Sequence, residues 1–166
     1  GKSGQGAAGA LLSRDWCVSA FAAGPAATLF FDEVADVCVH VEEDADALAR
    51  AVLEARPDLV VVSPGIPAHH PVFKACAQAG IDLWGEVELA WRLQEEGPHA
   101  GRPWLTVTGT NGKTTTVGML GEILRASGVK AEEVGNIGTP ITRAIDSDAE
   151  VFAVELSSFQ LHTAYT

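Results

Sequence analysis

One tyrosine, one methionine and three cysteines are all that 166 residues contain of those types, and aromatic residues make up 7% of the chain. Cys17, Cys38 and Cys76 are odd in number, widely spaced and set in apolar surroundings, so the sequence expects structural thiols in a reducing cytoplasm rather than disulfides. No apolar run approaches the twenty residues a membrane-crossing helix needs, and no basic apolar leader opens the sequence, so no membrane span is expected. Basic residues are scarce: 11 Lys and Arg stand against 22 Asp and Glu, a net charge of −11. Nucleic acid is thereby excluded as a partner, since an extended polyanion needs a basic face, and an anionic ligand must be gripped locally. His40, His69, His70, His99 and His162 show no paired metal-ligand spacing, so no zinc site is assigned. Repeats and low-complexity tracts are absent as well.

What is present is an α/β alternation. Short apolar runs near Cys17–Phe21, Val37–Val41, Leu59–Val62, Ile81–Trp84, Trp104–Thr108, Val129–Val134 and Val151–Leu156 read as strands. Between them lie helical patterns: a short helix to about Ser13, the face Leu48, Ala51, Val52 and Ala55 ended by Pro57, a helix opened by Pro71 and closed by Gly80, and one holding Val87, Leu89, Ala90 and Leu93. Glu42, Glu43, Asp44 and Asp46 favour the positive end of the second helix and read as a solvated helix start. The alternation implies a Rossmann-like first domain over 1–96, its first strand missing ahead of Gly1, then a linker over 97–103. Residues 104–166 then open a P-loop α/β ATPase domain with too few elements to close it.

The most informative run is Trp104 to Thr116, which reads as a buried strand, a glycine turn and a helix start whose Val117, Leu120, Ile123 and Leu124 recur at helical spacing. That order builds a triphosphate cradle: the first-turn N–H groups of the helix and its dipole favour anions, Lys113 adds a full charge near the terminal phosphates, and the Thr114 hydroxyl reaches Mg²⁺. Relative to the general Walker pattern the loop is short, because Val107 stands where its first glycine belongs and Gly109 serves instead. Glu155 interrupts the apolar strand 151–156 at its carboxyl end, where a P-loop protein presents an acid to the metal; the alternative is a rim glutamate in water.

Three further loops, Gly1–Gly6, Ser63–Gly65 and Gly135–Gly138, fall at strand carboxyl ends, where open α/β sheets bind ligands. Each has a plainer reading. The first suits helix packing, the second an ordinary turn, and the third a turn with Asn136 in a left-handed conformation.

Taken together, Thr108-Gly-Thr-Asn-Gly-Lys-Thr-Thr-Thr116, Gly135-Asn-Ile-Gly138 and Glu155-Leu-Ser-Ser-Phe-Gln-Leu161 resemble the ATP-dependent muramyl ligases of bacterial cell-wall synthesis. Ser63-Pro-Gly-Ile-Pro67, His70-Pro71, Gly80-Ile81 and Gly85-Glu86-Val87-Glu88-Leu89 are similar to the branch of that family that adds D-glutamate. The resemblance implies ligation of D-glutamate to UDP-N-acetylmuramoyl-L-alanine through an acyl phosphate, with ATP and Mg²⁺ as cofactors, in a cytoplasmic monomer. Position by position it implies that Gly109, Thr110, Asn111, Gly112, Lys113, Thr114, Thr115 and Thr116 bind ATP. Lys113 and Glu155 would be catalytic, Thr114 and Glu155 would hold Mg²⁺, and Lys2, Ser3, Ser63, Pro64, Gly65 and Asn136 would contact the UDP-sugar. It also implies elements not found here: a uridine-contacting acidic segment, unrecognisable around Ala22–Pro25 with shortened spacing to Val37, and a downstream histidine, modified lysine and C-terminal domain. The chain alone is therefore expected not to turn over. Three alternatives stay open: a non-catalytic nucleotide-binding fragment or regulator, a sister ligase adding another amino acid, and a P-loop kinase or GTPase.

Overall fold

The computed structural model describes residues 2–23 and 37–166. They fall into two compact units, Gly1–Glu86 and Val87–Thr166. The first contains α1 (Lys2–Leu12), β1 (Ser19–Ala23), β2 (Cys38–Glu42), α2 (Ala45–Glu54), β3 (Leu59–Val62), α3 (Pro71–Ala79) and β4 (Asp82–Gly85). β1 pairs with β2 and β3 with β4, both parallel, with Ser19 opposite Cys38 and Leu59 opposite Asp82. For β3 and β4 the parallel pairing follows from the connection, because a crossover, here the α3 helix, returns the chain to the same end of the sheet.

Local chemistry sets the helix limits. Asp44 caps α2, its carboxylate accepting from Ala47 N at 2.7 Å. Pro71 begins α3 where its missing N–H costs nothing, His70 Nδ1 accepts from Val72 N at 3.3 Å, and Gly80 ends the helix. Leu48, Ala49 and Val52 of α2 meet Val62, Val72 and Cys76 in one buried cluster, which joins both helices to β3.

The second unit holds α4 (Glu86–Glu95, from Val87 onward), β5 (Trp104–Val107), α5 (Lys113–Ala126), β6 (Ala131–Gly135), α6 (Ile141–Ala144), β7 (Val151–Glu155) and α7 (Ser158–Leu161). Its parallel sheet has the order β5-β7-β6, so the last strand in sequence is the central one. Phe152, Ala153 and Val154 of β7 are fully buried, together with Val117 of α5 and Ile141 of α6. The register aligns Val107 and Gly135 on either side of Glu155, which puts three strand ends in one row.

Several expectations change. The division between units falls at Glu86/Val87 and not in 97–103. The reason is that α4 is bound to β5: Gln94 donates to Arg102 O at 3.0 Å and accepts from Trp104 Nε1 at 2.8 Å, while Trp91 meets Trp104 edge-on at 5.2 Å. The stretch expected as a linker is turned back on itself, with Gly101 N held by the Glu95 carboxylate at 2.9 Å. β5, expected to be buried, is an edge strand among the described residues, and its Leu105 is 40% exposed. From Lys2 the supposed Gly1–Gly6 loop is the first turn and a half of α1, because Gly6, Ala7, Ala8, Ala10 and Leu11 form a buried face of small side chains. Cys17 and Cys38 are exposed, and only Cys76 is the buried thiol expected; burial pushes its pKa up. Gly1 and residues 24–36, which include most of the shortened 22–37 region, lie outside the described residues.

Candidate active site

β5 runs directly into the Gly109–Gly112 turn, and α5 begins at Lys113. Gly112 is the N-cap of α5 at φ 77°, a left-handed conformation that a side chain would strain, and it offers no side-chain acceptor to the first-turn N–H groups. Those donors therefore point out of a 14-residue helix toward the turn, with the helix dipole behind them. Lys113 folds back over the turn, Nζ donating to Gly109 O at 2.6 Å and to Thr110 O at 3.4 Å. Thr116 Oγ1 donates to Gly112 O at 2.9 Å, while Thr110, Asn111, Thr114 and Thr115 are exposed.

Glu155, at the end of central β7, is 2% exposed, which removes the reading of a rim glutamate in water. Oε2 accepts from Thr114 Oγ1 at 2.8 Å and Oε1 from Asn136 Nδ2 at 3.0 Å. Both partners are neutral, so a buried carboxylate is hydrogen-bonded but not neutralised, an arrangement that favours a cation. Two hard oxygens, one hydroxyl and one carboxylate, converge on one point, and they fit Mg²⁺, which takes one or two carboxylates and fills its remaining positions with water and phosphate. No group of three His, Cys, Asp or Glu side chains able to hold a metal occurs among the described residues.

Asn136 reaches Glu155 because the Gly135 turn lies against the end of β7. Asn136 N donates to Glu155 O at 2.8 Å and Gly135 N to Thr139 O at 3.0 Å. Gly135 has φ 109°, and a Cβ there would collide with the Glu155 carbonyl oxygen. The left-handed residues of this turn are Gly135 and Gly138; Asn136, expected to be left-handed, is not among the positive-φ residues.

The remaining expected contacts belong to the first unit. Lys2 and Ser3 sit in the first turn of α1, and Ser63, Pro64 and Gly65 form the turn after β3, where Ser63 Oγ accepts from Gly65 N at 3.4 Å. Asn136, grouped with them by the resemblance, is in the second unit on Glu155.

Two features went unassigned in the sequence. Ser157 and Gln160 form a capping box at α7: Ser157 Oγ accepts from Gln160 N at 3.3 Å, and Gln160 Oε1 accepts from Ser157 N at 2.9 Å. The Ser-Ser-Phe-Gln pattern was the available signal. Glu88 of α4 is fully buried, with Oε2 accepting from Tyr165 N at 2.7 Å, Thr166 N at 3.1 Å and Thr166 Oγ1 at 3.0 Å. Its Oε1 accepts from Arg92 Nε at 2.7 Å. Burial alone would raise the Glu88 pKa, but the donors from Tyr165, Arg92 and Thr166 outweigh it and hold the carboxyl below the usual range.

A parallel sheet with a glycine turn, a lysine and a hydroxyl–carboxylate pair at its carboxyl edge defines a mixed α/β protein with a candidate nucleotide site. Residues 107–166 match the Mur ligase middle domain, and to that extent the chain resembles the Mur ligase family. The UDP-N-acetylmuramoylalanine--D-glutamate ligase of Mycolicibacterium vanbaalenii is 49% identical over 145 residues, covering 85% of this chain and 30% of that protein. The ligase of the same name from Thermobifida fusca is 54% identical over 118 residues, 69% of this chain and 24% of the relative. The chain thus spans 30% or less of the length of these curated relatives. Among solved structures, UDP-N-acetylmuramate:L-alanyl-gamma-D-glutamyl-meso-diaminopimelate ligase from Neisseria meningitides shares the fold, with a TM-score of 0.52 at 22% identity over 93% of this chain and 49% of that one. No helix among the described residues is long and apolar enough to cross a membrane.

Proposed function

We propose that this chain supplies the ATP-binding front of an acid–amino-acid ligase that joins D-glutamate to UDP-N-acetylmuramoyl-L-alanine during peptidoglycan precursor synthesis in the cytoplasm. The observation that carries the reading is the convergence of Thr114 Oγ1 and Glu155 Oε2 at 2.8 Å beside the Lys113 turn. In this reading residues 109–116 form the P-loop that grips the triphosphate, and Lys113 leaves the Gly109 and Thr110 carbonyls to meet the phosphoryl group being transferred. Thr114 and Glu155 would hold Mg²⁺, which supplies charge neutralisation when bound. Transfer to the substrate carboxylate gives an acyl phosphate and ADP; the D-glutamate amine then attacks the acyl carbon, forming the amide and releasing phosphate.

The first unit is read as a Rossmann-like UDP-binding domain, with Lys2, Ser3 and Ser63–Gly65 as its substrate contacts. Identity of about 50% to several D-glutamate ligases supports that amino acid over those of sister enzymes. The test uses the full-length protein containing this chain. Lys113→Ala is expected to abolish ATP-dependent acyl phosphate formation while UDP-substrate affinity stays within about twofold, as expected when a residue contributes only to phosphoryl transfer. A ligation panel of D-glutamate, L-alanine, L-lysine and meso-diaminopimelate is expected to favour D-glutamate. Equal loss of nucleotide and UDP-substrate binding, or preference for another amino acid, would overturn the assignment.

A further inference from the structure

We propose that Asn136 is a specificity-determining residue for the metal: by occupying Oε1 of Glu155 it leaves to the metal only Oε2, the oxygen that faces the Thr114 hydroxyl, which favours Mg²⁺ over Ca²⁺. The inference rests on the proposed ATP–Mg²⁺ site. A carboxylate can only accept, so the Asn136 amide must present Nδ2, and it does so at 3.0 Å from Oε1. The asparagine is also fixed in place. Its backbone N–H is bonded to Glu155 O at 2.8 Å, and the strand register sets Gly135 opposite Glu155. At Gly135 any side chain would push the turn off β7, because its Cβ position overlaps the Glu155 carbonyl oxygen. The turn thus delivers one amide to one carboxylate oxygen, while Oε2 faces the Thr114 hydroxyl at 2.8 Å.

Ca²⁺ takes six to eight oxygens and readily engages both oxygens of a carboxylate, whereas Mg²⁺ requires near-octahedral geometry and is content with one. A carboxylate whose second oxygen is already hydrogen-bonded, and which is 2% exposed, is therefore a poor ligand for Ca²⁺. Removing the amide frees Oε1 and lets the carboxylate bind in two-oxygen fashion. The effect is local, since Asn136 is exposed and its backbone is not left-handed, so alanine is tolerated there.

The test is a Mn²⁺ titration of the full-length protein containing this chain, followed by electron paramagnetic resonance at saturating adenylyl imidodiphosphate, against a nucleotide-only blank. Mg²⁺ or Ca²⁺ then competes for the bound Mn²⁺. For the unsubstituted protein Mg²⁺ is expected to be the better competitor. For Asn136→Ala, and for Asn136→Ser as a second variant, the Mg²⁺ to Ca²⁺ preference is expected to fall about tenfold, the scale on which groups behind a metal ligand act. An unchanged preference in both folded variants overturns the inference and leaves the ATP site standing. So does an unchanged preference accompanied by weakened UDP-substrate binding, which would make Asn136 a substrate contact only. No protein-bound Mn²⁺ in the unsubstituted protein would overturn the site and the inference together.

Discussion

Glu88→Ala removes an anion from a place where four donors converge, and the cost can be worked from their exposure. A hydrogen bond to a charged group contributes about 1.5–3 kcal/mol when its partner has no substitute. Tyr165 N, Thr166 N and Thr166 Oγ1 all aim at the same Oε2, so their contributions overlap. Tyr165 and Thr166 are exposed, and water recovers part of the loss at their donors. The Arg92 side chain is 40% exposed, and water solvates it at a net loss of only about 0.5 kcal/mol. The remainder is about 3 kcal/mol, within the range for breaking a buried charged cluster by deleting one member.

Urea unfolding monitored by tryptophan fluorescence measures it directly. A Trp16→Phe/Trp84→Phe background confines the signal to Trp91 and Trp104, which meet at 5.2 Å in the same unit as Glu88. The pH dependence supplies an independent check. Because the folded-state pKa of Glu88 lies below its unfolded value of about 4.3, its stabilisation is complete above that value and disappears as pH falls through the folded pKa. The gap between unsubstituted and Glu88→Ala proteins is thus expected to be constant between pH 7 and about pH 5.5 and to close under acid conditions. A gap below about 1 kcal/mol at pH 7, or one that widens on acidification, would refute the assignment of Glu88 as a structural anion.

Gly135→Ala is expected to cost roughly 2–4 kcal/mol and to weaken ATP-analogue binding, since φ 109° and the Glu155 carbonyl both oppose a Cβ; calorimetric melting and nucleotide titration measure the two effects. Phe152→Ala, at the fully buried centre of the sheet, is expected to cost about 4 kcal/mol in urea unfolding, and it also strips the ring over which the Arg102 guanidinium sits at 4.5 Å. With a colorimetric disulfide reagent, Cys17 and Cys38 are expected to react in the native protein and Cys76 only after denaturant is added; rapid labelling of Cys76 would contradict its full burial.

Periodicity made most elements of the fold legible, down to all four residues of Leu59–Val62 and the start of α5 within one residue of Thr114. Those segments are governed by local rules: a run of β-branched residues, a proline at a helix start, a glycine at a helix end. The misreadings arise where tertiary context decides. Glycines near the start of the chain suggest a loop only if their neighbours are solvated, yet Gly6, Ala7, Ala8 and Ala10 are buried and keep α1 helical. An apolar strand announces that something covers it but not on how many sides, so β5 gave no sign of being an edge among the described residues. α6 and α7, at four residues each, are too short to carry a period. Of the candidate site, the lysine turn was legible as a contiguous string, whereas the bond between Thr114 and Glu155 joins residues 41 apart and depends on strand register.

That register also decides when the site exists. Because β7 is central, β5 and β6 make no ladder with each other among the described residues, and in the sheet they are paired through it. The Lys113 turn hangs from β5 and the Asn136 turn from β6, and each makes its bond to Glu155 from opposite sides of β7. Neither turn can acquire its partner before β7 inserts. Insertion in turn fixes the segment behind Glu155, where the Ser157–Gln160 box starts α7 and Glu88 holds the backbone of Tyr165 and Thr166. A protein in which Glu88 is lost would therefore place Glu155 less sharply between Thr114 and Asn136, although Glu88 touches none of the three. Metal affinity and stability should then fall together in Glu88 variants, whereas Asn136 variants should change the metal preference without loss of stability, because the first residue supports the strand and the second supports only its carboxylate.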